Sequence, residues 1–195
     1  MAYELKSARY LAAEILRAVL APGDRAIDAT MGNGHDTALL CSLVGPEGRV
    51  YAFDVQPAAL EATRRRLAEE GSAGQAELFL LGHEHMWEAV GEPVKAIVFN
   101  LGWLPGGDHR ITTLTETTLP AIQQALALLL PMGVLVICVY PGHPEGEREQ
   151  EMVTRLLSSL SPREYNVLMQ QFLNAGAGAP LCFAVQKQRG AEPRA

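Results

Sequence analysis

Apolar positions along this chain switch repeatedly between a helical stripe and short unbroken runs. Leu11, Ile15, Leu16, Val19 and Leu20 share one helical face, and Pro22-Gly23 ends it, so residues 1–23 predict an opening helix. A strand is expected from Arg25 to Ala29, a helix from Asp36 to Val44, and a second strand from Arg49 to Asp54 after the turn Gly45-Pro46-Glu47-Gly48. Pro57 suits the first turn of a helix running to Glu70. Strands follow at Ala76–Leu81 and Ala96–Asn100, with a short helix to Val90 between them. After a loop from Leu101 to Ile111 the next helix runs to Leu130. Its start is open, since Thr113-x-x-Glu116 has capping-box spacing while Pro120 would kink a helix begun there. Ala125 to Tyr140 reads as a helix end, a turn at Pro131 to Gly133, and a buried strand from Val134. Glu147 to Leu160 is helical, and Tyr165–Phe172 and Leu181–Lys187 pair as closing strands. Five alternations of strand and helix predict an α/β fold with a doubly wound, mostly parallel sheet. The closing pair brings the count to seven strands and places an antiparallel strand at one edge.

Bulk properties narrow this picture. At 195 residues, 48% apolar and 19% charged, the chain fits one folded domain with a frayed tail at Arg189 to Ala195. The net charge of −6 argues against a broad phosphate footprint, so any contact with nucleic acid has to be local. Cys41, Cys138 and Cys182 sit among apolar neighbours with no C-x-x-C spacing and read as reduced core residues. No secretion signal or membrane span is expected, which places the protein in the cytoplasm.

Candidate chemistry concentrates after the first strand. Asp28-Ala29-Thr30-Met31-Gly32-Asn33-Gly34-His35-Asp36 is a glycine-bearing turn between strand and helix, and the second strand closes on Asp54. Glycines let the backbone approach a nucleoside, and an acid at the second strand end can accept hydrogen bonds from two ribose hydroxyls. A dinucleotide fold wants G-x-G-x-x-G, and Thr37 occupies the third glycine position. Asp28 suits a cofactor with a cationic amino-acid tail, which points to S-adenosylmethionine.

Ligands in open α/β sheets bind beyond the carboxyl ends of the strands. His35, His83, His85, His109 and His143 are all expected there, although their spacing matches no common zinc pattern and no metal is expected. Asn100-Leu101-Gly102-Trp103, where the fourth strand ends, is a partial match to the Asn/Asp-Pro-Pro-aromatic signature of amino-group methyltransferases. In that signature a side-chain oxygen and a carbonyl hold the target nitrogen while the aromatic stacks on a base.

On these motifs, with Leu104-Pro105-Gly106-Gly107-Asp108, Ile111-Thr112-Thr113, Tyr51-Ala52-Phe53-Asp54-Val55-Gln56 and Gly142-His143-Pro144, nearly the whole chain resembles the YtqB/MnmM family. The resemblance implies a Rossmann-like class I methyltransferase fold. It also implies N-methylation of the aminomethyl group of 5-aminomethyl-(2-thio)uridine at the tRNA wobble position. By the same likeness Gly32, Asn33, Gly34 and His35 would surround the methionine part of the cofactor. Asp54 and Gln56 would hold the ribose and the adenine side, with Gly82 and His83 near the adenosine. Asn100 and the Leu101 carbonyl would hold the amine, and Asp108, Tyr140 or His143 would accept a proton. Trp103, Pro105, Gly106, Gly107 and Arg110 would receive the substrate. Trp103 stands where the family has Tyr, and Pro141 where it has His. The expected partner is the anticodon region of tRNA, met by a basic patch from Lys6, Arg9, Arg110 and Arg148 or by one completed across a homodimer. Methylation of another amine, or nucleoside binding without catalysis, are the competing readings, and a dehydrogenase fits least.

Overall fold

The computed structural model describes residues 8–176 and 178–190. Lys6 and residues 191–195 of the expected tail lie outside them. Helix α1 (Ala8–Val19) buries Ala8, Ala12 and Leu16, one face at four-residue spacing. The chain continues through β1 (Arg25–Asp28), α2 (His35–Val44), β2 (Arg49–Asp54), α3 (Pro57–Glu69), β3 (Ala76–Leu80), α4 (Met86–Val90) and β4 (Val94–Asn100). It ends with α5 (Thr115–Leu128), β5 (Leu129–Val139), α6 (Pro144–Ser158), β6 (Tyr165–Gln170) and β7 (Leu181–Lys187).

These strands form one seven-stranded sheet in the order β3-β2-β1-β4-β5-β7-β6. The first five pair in parallel, while β7 runs antiparallel to both β5 and β6, so the antiparallel strand lies at that edge, one place in from the rim. Because successive strand residues face opposite ways, the sheet feeds two cores. Ala26, Val50, Ala96, Val98 and Val136 pack with α1, α2 and Leu67 of α3. Ile27, Phe53, Ile97, Phe99 and Ile137 pack on the other face with α5 and with Val153 and Leu157 of α6. All three cysteines are free and buried. Among the described residues no helix is long and apolar enough to cross a membrane.

One expectation about the fold is corrected, and the open start of the fifth helix is resolved. Strand β5 begins at Leu129, directly off α5, and no separate turn divides helix from strand. Val94 pairs with Leu129 and Ala96 with Val134, so Leu130 to Gly133 bulge out within the strand, with Met132 at φ 60°. Pro131 and Gly133 therefore mark an irregularity inside the ladder. The capping box at Thr113 does not form either. Leu114 precedes α5, and the first helical N–H, that of Thr115, is taken by Glu145 Oε1 at 2.8 Å. Pro120 sits on the exposed side of α5 without ending it.

Strand order reverses between β1 and β4, which opens a crevice where the sheet's direction of winding changes. The residues following β1, β2, β3, β4 and β5 all converge on it.

Candidate active site

At that crevice lies an open cleft of about 540 Å³. Its floor is the turn after β1. Gly34 is left-handed (φ 78°), and a Cβ there would come within 2.8 Å of the Thr63 Cα, so only glycine lets α3 pack this closely. Thr63 also donates to the Gly32 carbonyl (3.1 Å), and Arg66 Nε donates to the Asn33 carbonyl (2.8 Å). Helix α3 thereby clamps the turn from behind.

The two acids at the strand ends have different surroundings. Asp54 borders the cleft and accepts backbone N–H bonds from Gly32 (3.1 Å) and Gln56 (2.9 Å). Each oxygen keeps a second lone pair, so the carboxylate is oriented yet still able to take two hydroxyls. Asp28 is fully buried and lies off the cleft wall. Its carboxyl takes the Thr37 hydroxyl (2.7 Å) and the Thr30 N–H (3.2 Å). Burial and the nearby Asp36 charge raise its pKa from 3.8 to about 7. Asp28 thus lies behind the cleft wall, where with Thr37 it forms an internal brace under the turn.

His83 is buried against β1, its Nδ1 3.2 Å from the Ala29 carbonyl. A carbonyl only accepts, so Nδ1 carries the proton, and burial lowers the ring's pKa and keeps it neutral with Nε2 as an acceptor. His143 shows the opposite arrangement, because its Nδ1 accepts the Gly146 N–H (3.2 Å) as the N-cap of α6.

Beyond β4, Asn100 Nδ2 donates to Asp36 Oδ2 at 2.7 Å, and Asp36 also meets Arg9 at 3.5 Å. That bond fixes the orientation of the amide. Asn100 Oδ1 is left buried on the cleft wall with no partner among the described residues, a costly state that a hydrogen-bond donor would relieve. Trp103 lies against two imidazoles, stacked on His109 (ring centroids 4.4 Å, 16°) and tilted against His143 (4.5 Å, 41°).

Comparison with known proteins identifies this arrangement. The sequence profile of the family described as "Putative rRNA methylase" matches residues 50–186. The chain belongs to that family. It is 37% identical over 193 residues to the chloroplastic tRNA (mnm(5)s(2)U34)-methyltransferase of Arabidopsis thaliana, covering 94% of this chain and 70% of that one. A "putative rRNA-methylase" from Clostridium thermocellum superposes with a TM-score of 0.93 at 35% identity, covering 95% of this chain and all of the other. A "putative methyltransferase" from Streptococcus mutans, crystallised in complex with SAH, gives 0.86 at 36% identity over 94% of this chain and 99% of that one.

Within this rRNA methylase-family site the cleft brings together Gly32, Asn33, His35, Asp54, Gln56, Gly82, His83, Asn100, Leu101, Trp103, Pro105, Tyr140 and His143. It does not include Asp28, Gly34, Gly106, Gly107, Asp108 or Arg110 in its wall. Nor are the three candidate proton acceptors suited to that role. Arg110 binds both oxygens of Asp108 in the exposed loop and holds its carboxyl below the usual range. Burial pushes the Tyr140 phenol up to about 12. His143 offers no free lone pair in its neutral form, because Nδ1 accepts from Gly146 and Nε2 therefore carries the ring proton. Sequence reasoning gives no role in the cleft to Asp36 or to Thr30, whose hydroxyl accepts the Asn100 N–H at 2.7 Å, and gives Arg9 a role only in RNA contact. Asp36 stood inside the quoted motif, but its link to Asn100 spans 64 residues and had no local signal.

Proposed function

We propose that this protein is an S-adenosylmethionine-dependent N-methyltransferase acting on the aminomethyl group of 5-aminomethyl-(2-thio)uridine at the wobble position of tRNA. The observation that carries this reading is the fixed Asn100 amide, with Oδ1 unpaired beside a nucleoside-sized cleft. The Arabidopsis relative's activity supports the choice of substrate.

The residues present suit the cofactor. Asp54 would take the ribose hydroxyls, Gln56, Gly82 and His83 would flank the adenosine, and Gly32, Asn33 and His35 would lie along the methionine part. S-adenosylmethionine supplies, when bound, a methyl group on a sulfonium centre.

What the chain itself does is bind and align the amine. An alkyl amine with a pKa near 10.4 is about three units from neutrality at pH 7, a cost of about 4 kcal/mol. A cleft of this kind favours the neutral form by desolvation. Asn100 Oδ1 and the Leu101 carbonyl accept the two N–H bonds of the neutral amine and leave its lone pair free to point along the cleft. Holding reactants in line can contribute about 7–11 kcal/mol, so alignment outweighs proton transfer. That fits a site in which none of the expected acceptors is poised to take a proton.

The partner is the anticodon region of tRNA. Arg9, Arg110 and Arg148 each face a carboxylate, on Asp36, Asp108 and Glu116, so they form no unopposed basic patch. A second copy of the chain completes the contact surface.

Incubation with labelled cofactor and total tRNA, with and without the aminomethyl group, tests this reading: label enters only the aminomethyl pool. Asn100→Ala is expected to lower turnover about 100-fold with cofactor affinity unchanged, while Asp54→Ala weakens cofactor binding. Equal loss of both in the Asn100 variant would move that residue into the cofactor subsite.

A further inference from the structure

We propose that Glu149 and Thr113 act as positioning residues that aim the Leu101 carbonyl at the substrate amine. This rests on the reading of Asn100 and Leu101 just given and extends it to Thr113 on the cleft wall and to Glu149 behind it.

The argument begins with the peptide joining Leu101 to Gly102. It is trans, so the Leu101 C=O and the Gly102 N–H lie in one plane and point in opposite directions. Whatever holds that N–H therefore aims the carbonyl. The holder is Thr113, whose Oγ1 accepts the Gly102 N–H at 2.8 Å. A hydroxyl has one proton, and Thr113 gives its own to Glu149 Oε2 at 2.8 Å. With that proton committed, a lone pair of Oγ1 is left facing Gly102. The second carboxylate oxygen, Oε1, takes the Thr118 hydroxyl at 2.6 Å, a separate bond that ties α5 to α6.

Three features show that the relay is built in. Glu149 is only 1% exposed, and burying a carboxylate is costly unless hydrogen bonds compensate it. An apolar residue at that place would pack the helices at lower cost. Leu101 is also held from its other side, where its N–H donates to the Cys138 carbonyl at 2.9 Å. Gly102 has φ 133°, a region that side chains rarely adopt, so the turn needs glycine to present the peptide this way.

The alternative is that Glu149 only ties α5 to α6, and a pair of isosteric changes separates the two. Thr118→Val cuts the helix tie and leaves the relay, whereas Thr113→Val cuts the relay. In folded protein Thr113→Val is expected to lower kcat about tenfold to a hundredfold, with cofactor affinity by calorimetry within twofold of the parent. Thr113→Ser, which keeps the hydroxyl, restores kcat to within about threefold. Thr118→Val lowers the melting temperature and keeps kcat. Parental kcat in Thr113→Val, or equal kcat losses in the two valine variants, overturns the relay. Should Thr113→Val fail to fold, Thr113→Ala takes its place, since it also removes the hydroxyl and adds no bulk. A lower kcat with unchanged cofactor affinity supports the relay, and parental kcat overturns it. Asn100→Ala measured alongside separates the two levels. Loss there with none in Thr113→Val removes the relay alone, and parental turnover in Asn100→Ala removes the reading beneath it.

Discussion

Asp28 and Asp54 end neighbouring strands, and from sequence both looked like acids facing a cofactor. Their difference lies in what surrounds them. Asp54 rests on backbone N–H groups at the cleft, while Asp28 is shut in with the Thr37 hydroxyl and near the Asp36 charge. The two departures from the dinucleotide pattern, Asp28 and Thr37, are thus one interaction. A single sequence shows both residues but not that they meet. The pKa of Asp28 is about 7 in the folded protein and 3.8 unfolded, so the folded state holds its proton more tightly. The stability that proton confers is whole below pH 3.8 and is lost as pH rises through about 7. Asp28→Asn has no such loss. Its melting temperature is expected to gain on the parent's between pH 5 and pH 8, and a constant offset across that range would show that Asp28 is not the group responsible.

Elements were the most readable level, because each strand and helix announced itself by period. The turn after β1 was recognised from its glycines, and the structure gives the reason for one of them: Gly34 is left-handed and pressed against Thr63. Gly34→Ala combines about 1–2 kcal/mol of backbone strain with about 1–3 kcal/mol of overpacking against backbone that cannot yield. A fall of several degrees in melting temperature, together with weaker cofactor binding, is the expected result in a melt with and without cofactor. The misreading at Pro131 to Gly133 has an equally local cause. Those residues do break the ladder, but neighbouring strands carry β5 past the break. Arg66 has no local signal in the sequence, because its guanidinium reaches back 33 residues to the Asn33 carbonyl.

For the whole molecule the question is how an acidic protein meets RNA. The net charge is −6, and the three arginines proposed for contact are each engaged by a carboxylate. Even if all three met phosphates, affinity for tRNA would fall by less than about 50-fold between 50 and 200 mM salt. Titrations at several salt concentrations check this, and a much steeper slope would require a basic surface elsewhere. The cleft's position was legible from topology alone, since strand order implies a switch point. Its wall was not, because Asn100 meets Asp36, and Gly102 meets Thr113, only after folding. One consequence concerns the stack of Trp103 on His109. A flat base that comes to lie on the indole where His109 now lies must push the imidazole aside. The chain has two tryptophans, and the other, Trp87, sits on α4 outside the cleft wall. In a Trp87→Phe protein, fluorescence emission would come from Trp103 alone, so the enzyme would report optically, nucleotide by nucleotide, when its own door is opened.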